Sequence, residues 1–166
     1  MSVVIPGRIL RFVEQNATLG FAGTRDRNLV PCGHRVSGWR VGQDQRTITA
    51  LVADQYTDRL IESLEDNGEI ALTIEEFPSH ETYQFKGRYL RHRPIQPEDL
   101  AIVDRTRARF VKSVQPIYAD VPEQLLKAYI LAPKTAVEFE LLAIYLQTPG
   151  PGAGARLVPP EDVLPT

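Results

Sequence analysis

The sequence has only one cysteine, Cys32, among its 166 residues. One thiol cannot form an intrachain disulfide, and a cysteine-based metal cluster is excluded. No segment approaches the ~20 apolar residues that a helix needs to cross a bilayer. The N-terminus lacks a basic region followed by a long apolar run, which argues against secretion. We therefore expect a cytoplasmic protein that is not embedded in a membrane, in a reducing compartment that suits a lone thiol.

An excess of positive charge is also missing. The formal net charge is −2 and the isoelectric point is near 5.9. Proteins that bind nucleic acids concentrate Lys and Arg to match the phosphates, so we expect no nucleic-acid partner. Basic residues still crowd two segments, 25–46 and 86–93. A local site for one anionic group, such as a phosphate, is compatible with this distribution.

Familiar catalytic motifs are absent as well. The sequence contains no Gly-x-Ser-x-Gly elbow, no P-loop and no His-Glu-x-x-His pair. The three histidines, His34, His80 and His92, have no spacing that suggests a shared metal ion. The sequence therefore predicts no metal site and identifies no catalytic residue.

The order of the predicted elements indicates the fold. Strands are expected over residues 17–24, 29–41, 46–53, 69–74, 82–92 and 136–147, and helices over 6–15, 54–67, 97–114 and a short segment after Pro122. The elements do not alternate regularly, and no Gly-x-Gly-x-x-Gly follows the first strand, which disfavours a doubly wound nucleotide fold. We predict a mainly β (α+β) domain over residues 1–148, an antiparallel barrel with flanking helices. Residues 149–166 form a Pro/Gly-rich tail.

The strand over residues 82–92 carries the clearest functional signal. Tyr83 and Phe85 alternate with Gln84 and Lys86, so the two polar side chains share one face, ~7 Å apart. Gln both donates and accepts hydrogen bonds, and Lys supplies a mobile positive charge. This pair could bind a polar heterocycle or a phosphate, or it could be the solvent-facing row of an amphipathic strand. The residues alone leave both interpretations open.

Two segments make a family resemblance visible. Residues 67–72 read Asn-Gly-Glu-Ile-Ala-Leu, and residues 79–87 read Ser-His-Glu-Thr-Tyr-Gln-Phe-Lys-Gly. Their order after three strands and a helix resembles the pyridoxamine phosphate oxidase-like family of FMN-binding split barrels, over roughly residues 5–115. In that family a helix ends in Asn before a Val/Ile-Ala-Leu strand, and a later strand carries Gln, a basic residue and Gly.

The resemblance implies a homodimer with two FMN sites at the subunit interface, acting on a small molecule. It places Gln84 and Lys86 near the flavin and the helix start at the FMN phosphate, where free N–H groups suit an anion. The sequence offers no convincing proton donor or base, and His80, beside the flavin strand, is the best candidate. The implied cofactor-binding residues are His34, Arg35, Val36, Thr57, Arg59, His80, Gln84 and Lys86.

The sequence departs from this family in two places. The helix start reads Thr57-Asp58-Arg59 where relatives have a Ser-Arg-Lys type cluster, and Asp58 adds an unhelpful negative charge, so Arg35 or Arg40 would have to substitute. The C-terminal segment that grips pyridoxal phosphate is not recognisable, so vitamin B6 synthesis is not predicted. Three hypotheses follow: an FMN-dependent oxidoreductase with an unknown small substrate, a non-catalytic module that carries flavin, deazaflavin or haem, or a β-barrel interaction protein without cofactor.

Overall fold

A computed structural model describes residues 2–53 and 57–157. Within these residues the chain forms six strands and four α-helices. The strands are β1 (Leu19–Arg25), β2 (Pro31–Val41), β3 (Thr47–Ala53), β4 (Glu69–Glu75), β5 (Thr82–Pro94) and β6 (Pro133–Leu146). The helices are α1 (Gly7–Arg11, continued by a π-helical turn over Phe12–Asn16), α2 (Thr57–Asn67), α3 (Pro97–Val114) and α4 (Glu123–Ala128).

The six strands close into one antiparallel barrel in the order β1-β2-β3-β6-β5-β4, with β4 pairing back to β1. The last strand, β6, completes the barrel because it pairs with β3 on one side and with β5 on the other. The predicted fold class, an antiparallel barrel with flanking helices, is confirmed. None of the helices among the described residues has both the length and the apolar character of a membrane span.

The barrel interior is filled by inward-facing side chains of all six strands, with Phe85 and Phe139 among the largest fully buried ones. Two helices complete this interior cluster. The segment that contains α1 adds Phe12, and α2 adds Leu60 and Leu64, which are 0% and 1% exposed. Since both helices place apolar side chains against the interior, they shield the ends of the barrel from water.

The helices α3 and α4 cover only part of the outer barrel surface. Leu51 of β3 faces outward into a second apolar cluster with Ile102 and Phe110 of α3. Gly38 of β2 permits this contact, because a Cβ there would lie 3.0 Å from Ile102 Cγ2. The third strand, β3, is therefore covered on both faces. The outer surface of β1, β4, β5 and the second half of β6 lies mostly beyond these helices, and we call it the open face.

Element boundaries differ from the prediction where strands shift register. An extra residue at Ser37 interrupts the pairing between β2 and β3, so residues on either side of it reverse their faces. The last strand begins at Pro133, three residues before the predicted start, because Ala53 pairs with Pro133 across a second irregularity. Gly68 ends α2 with a φ of +74°, as the Asn-Gly signal predicts. Residues 54–56, at the start of the helix predicted over 54–67, lie outside the described residues.

The start of α3 is fixed by a buried ion pair. Asp99 is 0% exposed, and its Oδ2 lies 2.6 Å from Arg93 Nη1. The same carboxylate accepts a hydrogen bond of 2.9 Å from the backbone N–H of Gln96, the N-cap residue. Hydrogen bonds from the Arg93 guanidinium, above all, hold the pKa of Asp99 below its ordinary value, although burial opposes this.

The first part of the predicted tail lies along β6. The backbone N–H of Leu146 donates to Ala155 O at 2.9 Å, and that of Leu157 donates to Ile144 O at 2.9 Å. Residues 150–157 are exposed. These residues form hydrogen bonds with backbone N–H and C=O groups of β6 that follow Glu140, where the pairing of β6 with β3 ends. Residues 158–166 lie outside the described part of the chain.

Candidate functional site

The open face has a floor of very small residues. In one row across the strands, Gly33 pairs with Gly23, Gly23 with Ala71, Ala71 with Lys86, and Lys86 with Ala143. Neighbouring strands lie about 4.8 Å apart, so this row extends for roughly 19 Å. Lys86 is its only residue with a side chain longer than a methyl group. A flat surface of this kind lets another planar or extended group approach the backbone closely.

The packing of this chain does not require glycine at two positions of that floor. A Cβ on Gly33 would meet nothing within 4 Å, and one on Gly23 would meet only Ala71 O at 4.0 Å. By contrast, a Cβ on Gly20 would lie 2.9 Å from the Trp39 ring. Glycine inside a strand is unfavourable unless something needs the room. The open glycines therefore indicate a close approach by a group outside this chain.

A groove of about 530 Å³ lies on the open face and has positive charge along it. Its cations are Arg25, Lys86 and Arg88. Arg25 is paired with Glu69, at 2.6 Å between Nη2 and Oε2. Neither Lys86 nor Arg88 forms an ion pair among the residues that the structure describes. Two uncompensated cations beside a flat floor suit an anionic ligand such as a phosphate ester.

Gln84 and Lys86 lie on the same outer face of β5, as the alternation of the strand predicts. Gln84 Nε2 donates to Thr73 Oγ1 of β4 at 3.2 Å, which fixes the amide against its neighbour. Lys86 Nζ lies 4.8 Å from the centre of the Tyr145 ring of β6. The amide and the ammonium group are therefore held next to the flat floor by contacts to the two adjacent strands.

His80 lies in a second groove of about 430 Å³, which Gln84 also lines. Its Nδ1 is 2.7 Å from Glu75 Oε1, and the histidine side chain is 58% exposed. A carboxylate at this distance orients the ring. The His80 backbone has a φ of +59°, in the left-handed region that few residues adopt. Gln84 precedes Lys86 by two residues on the same face of β5, so the groove that contains His80 adjoins the row that Lys86 occupies.

The structure does not bring the side chains of the three predicted ligands on β2 to this site. His34 and Val36 are 6% and 3% exposed, and they face inward. Arg35 points outward, but its Nη2 donates to Tyr129 O at 2.7 Å and its guanidinium lies 4.1 Å from the centre of the Tyr129 ring. Arg35 therefore contacts Tyr129, the residue that follows α4, and does not line the groove on the open face. A ligand on the open face would reach His34 and Val36 only through their backbone.

The predicted phosphate residues on α2 are also separate from the open face. Thr57 is 3% exposed, and its Oγ1 donates to Ala53 O at 3.0 Å. Arg59 is exposed and lines a third groove, which contains the carboxylates of Asp26, Glu62 and Asp66. That acidic setting disfavours a phosphate. Among the predicted residues, His80, Gln84 and Lys86 lie near one another. His80 and Gln84 line the second groove, and Lys86 lies two residues after Gln84 on the same face of β5.

Several residues of the site were not predicted as ligands. Arg25 and Arg88 line the groove with Lys86, and Gly33 and Ala71 form its floor together with Gly23. The glycine in the first strand was a usable signal, since glycine in a strand marks a bulge or a close approach. The alignment of Gly33 with Gly23 depends on strand register, which periodicity alone does not define.

Comparison with known proteins supports the fold. No family model matches the sequence, and no curated protein matches it either. Among solved structures, HupZ of Group A Streptococcus is 17% identical with a TM-score of 0.53, covering 91% of this chain and 100% of that one. A candidate pyridoxamine 5′-phosphate oxidase from Lactobacillus delbrueckii is 10% identical with a TM-score of 0.50, covering 86% and 93%.

The class of the protein follows from its architecture. The chain is a six-stranded antiparallel barrel protein with helices over part of its outer surface. More specifically, it has the split-barrel fold of the pyridoxamine 5′-phosphate oxidase-like proteins, which confirms the resemblance seen in the sequence at the level of the fold. The structural similarity establishes the fold. At sequence identities of 17% and 10% it does not establish the activity, which has to be inferred from the site.

Proposed function

We propose that the protein is an FMN-binding flavoprotein, an oxidoreductase with a small-molecule substrate, whose cofactor lies on the open face. One observation carries the proposal. The open face combines two cations without an ion-pair partner among the described residues, Lys86 and Arg88, with a floor whose glycines the chain's own packing does not need. A flat ring system that bears a phosphate has the shape and charge to fill such a site. The shared split-barrel fold supports the same choice.

The proposed role of each residue follows from its position. Lys86 and Arg88 neutralise the phosphate, and the amide of Gln84 hydrogen-bonds the edge of the ring. Gly23 and Gly33 let the ring approach the strands closely. His80, oriented by Glu75, holds or releases a proton beside the same row. FMN, when bound, supplies the redox chemistry, and the protein orients it and excludes water.

We further propose that the protein functions as a homodimer. The open face leaves Phe21 of β1 42% exposed, although its apolar ring favours burial. A second copy packed against this face would cover Phe21 and close the groove over the cofactor. Each dimer would then hold two FMN molecules, a stoichiometry that light scattering and a flavin titration measure together.

The cofactor assignment is tested first by the absorbance of the purified protein and by titration of the apoprotein with FMN. We expect oxidised-flavin bands, and tighter binding of FMN than of riboflavin, which lacks the phosphate. A colourless protein that also fails to bind added FMN would rule the proposal out. A Soret band in place of flavin bands would instead identify a haem carrier. Reduction of the bound flavin by NADH or NADPH would distinguish an oxidoreductase from a carrier.

The variant Lys86→Ala tests the location of the site. A charge-assisted hydrogen bond contributes about 1.5–3 kcal/mol, so at this exposed position we expect FMN affinity to fall roughly tenfold. Lys112→Ala is the matched control, because Lys112 is an exposed lysine on α3, away from the groove. If Lys86→Ala binds FMN as tightly as the control does, the cofactor does not lie on this strand.

A further inference from the structure

The only cysteine of the chain lies in contact with a histidine. Cys32 and His34 are two residues apart on β2 and therefore share a face, and Cys32 Sγ is 3.1 Å from His34 Nε2. The thiol is partly exposed, whereas His34 is 6% exposed. When the neutral imidazole carries its proton on Nδ1, its Nε2 can accept the thiol proton. A thiol beside a base at hydrogen-bond distance is the arrangement that activates a cysteine nucleophile.

A second, independent observation points to a ligand at this place. Cys32 and Ser63 of α2 line the same groove, whose volume is about 320 Å³. Ser63 is 6% exposed, and its Oγ has no hydrogen-bond partner among the described residues. A buried hydroxyl without a hydrogen-bond partner is unfavourable, so its presence requires an explanation. An oxygen atom of a ligand in this groove could accept the hydrogen bond that Ser63 Oγ does not make within the described residues.

The charged groups around the groove come from α2 and from the turn between β1 and β2. Asp26 accepts hydrogen bonds from the backbone N–H groups of Asn28 and Val30, at 2.8 and 2.9 Å. Asp66 is paired with Arg27. The other two charged residues that line the groove are Arg59 and Glu62, and neither forms an ion pair among the described residues.

We propose that Cys32 is a peroxide-reactive thiol, with His34 as its base and Ser63 as the hydrogen-bond donor to the oxygen that is transferred. The substrate class is the hydroperoxides, ROOH, because a groove that holds a thiol and a buried hydroxyl without a partner suits a small oxygen ligand. The product is a sulfenic acid on Cys32. This site is independent of the flavin site, since Val30 and Cys32 line its groove while Leu29 and Pro31, on the other side of the hairpin, line the groove on the open face.

The Cys32 thiol, His34 and the hydroperoxide account for every atom and electron of the reaction. The thiol proton passes to His34 Nε2, and the sulfur attacks the distal peroxide oxygen, forming an S–O bond and breaking the O–O bond. The proton on His34 then passes to the departing oxygen, so that Cys–SH and ROOH give Cys–SOH and ROH. Sulfur loses two electrons and the peroxide gains two. Ser63 Oγ donates to the oxygen now bound to sulfur.

The sequence determines how the thiol is restored. Since Cys32 is the only cysteine, no second cysteine of the same chain can form a disulfide with it. Two equivalents of a small external thiol, R′SH, would return Cys–SOH to Cys–SH and yield R′SSR′ and water. The modification is therefore reversible in a reducing compartment and gives a single-site product.

The test treats the protein, as purified, with hydrogen peroxide and traps the sulfenic acid with dimedone, followed by intact mass. We expect one adduct, lost in Cys32→Ser, that forms at least about tenfold faster in the folded protein than in urea-unfolded protein at the same pH, because only the folded chain places His34 beside the thiol. Equal or slower labelling of the folded protein would show an ordinary thiol and overturn the proposal. This comparison needs no variant that alters folding.

Two variants separate the roles of the neighbours. His34→Gln, which keeps a polar side chain but cannot take the proton, should slow both peroxide oxidation and iodoacetamide alkylation about tenfold. Ser63→Ala should slow the peroxide reaction severalfold and leave alkylation unchanged, since Ser63 acts on the incoming oxygen. If Ser63→Ala leaves the peroxide rate unchanged, the proposed donor role is wrong. If His34→Gln alkylates at the wild-type rate, the imidazole is not the base.

Discussion

Replacement of Gly87 by alanine tests how tightly β5 and β6 are packed. An alanine Cβ at this position would lie 2.3 Å from Glu140 O and 2.4 Å from Phe139 Cδ2. The first contact is with the backbone of β6, which is paired with β5 on both sides of this point, and the Phe139 ring is fully buried, so neither atom can move away freely. Gly87 shares its face of β5 with Phe85 and Tyr89, and the Phe139 ring occupies the space beside it that a larger side chain would need.

The size of the effect can be derived from these distances. Contacts this short require a backbone shift of about 1 Å, and overpacking of a core costs roughly 1–3 kcal/mol. For a domain of about 150–250 residues, 1 kcal/mol changes Tm by about 2–4 °C. We therefore expect Gly87→Ala to lower Tm by about 2–12 °C, with a matching decrease in the free energy of unfolding.

The assay is calorimetry and urea denaturation of apoprotein at one protein concentration, because ligand and association both shift apparent stability. Gly33→Ala is the matched control. Its Cβ would meet nothing within 4 Å, so the change should be neutral or should stabilise the strand by about 0.5–1 kcal/mol. If Gly87→Ala melts within about 1 °C of the wild type, β5 and β6 are not packed as tightly at Gly87 as these distances indicate.

The remaining predictions concern the open face, the second groove and α3. Gly33→Leu should keep the Tm of the apoprotein within about 2 °C and abolish FMN binding and association, as calorimetry, flavin titration and light scattering would show; retained FMN binding would contradict a close approach at this position. His80→Gln should leave FMN affinity unchanged and slow substrate turnover about 100-fold, because general acid–base groups contribute about 10²–10⁴-fold. Asp99→Asn should lower the free energy of unfolding by about 2 kcal/mol at neutral pH, since it weakens charge-assisted hydrogen bonds from Arg93. The lowered pKa of Asp99 means that this stability is present above its ordinary value of 3.8 and is lost as the pH falls through the lowered value, so urea curves of the two proteins should converge in acid.

The fold could be predicted from the sequence where local signals agree. The alternation of Tyr83 and Phe85 with Gln84 and Lys86 gives both the strand and its faces, because the side-chain period of a strand is two residues. The Asn67-Gly68 pair marks the end of α2, since Gly68 adopts a positive φ without strain. These signals are contained in a few neighbouring residues, so no tertiary information is needed to interpret them.

The site was less predictable because it depends on register between distant segments. Gly33 and Gly23 become one floor only after β1 and β2 pair, and Ala71 joins it only through β4. The extra residue at Ser37 reverses the faces of β2, which no periodicity in the sequence announces. The placement of His34 and Val36 inside the barrel is determined by this tertiary pairing.

The position of β6 in the barrel has a consequence for synthesis of the chain. β3 is buried on both faces, yet one of its edges pairs with a strand that begins 80 residues later, at Pro133. At roughly 5–20 residues per second, a ribosome needs about 5–20 s to extend the chain from the end of β3 to the end of β6. For that interval β3 presents an apolar, unpaired edge of the kind that recruits chaperones or other chains. Yield should therefore depend on elongation rate between these strands, and synonymous codon changes there would alter solubility without altering the protein.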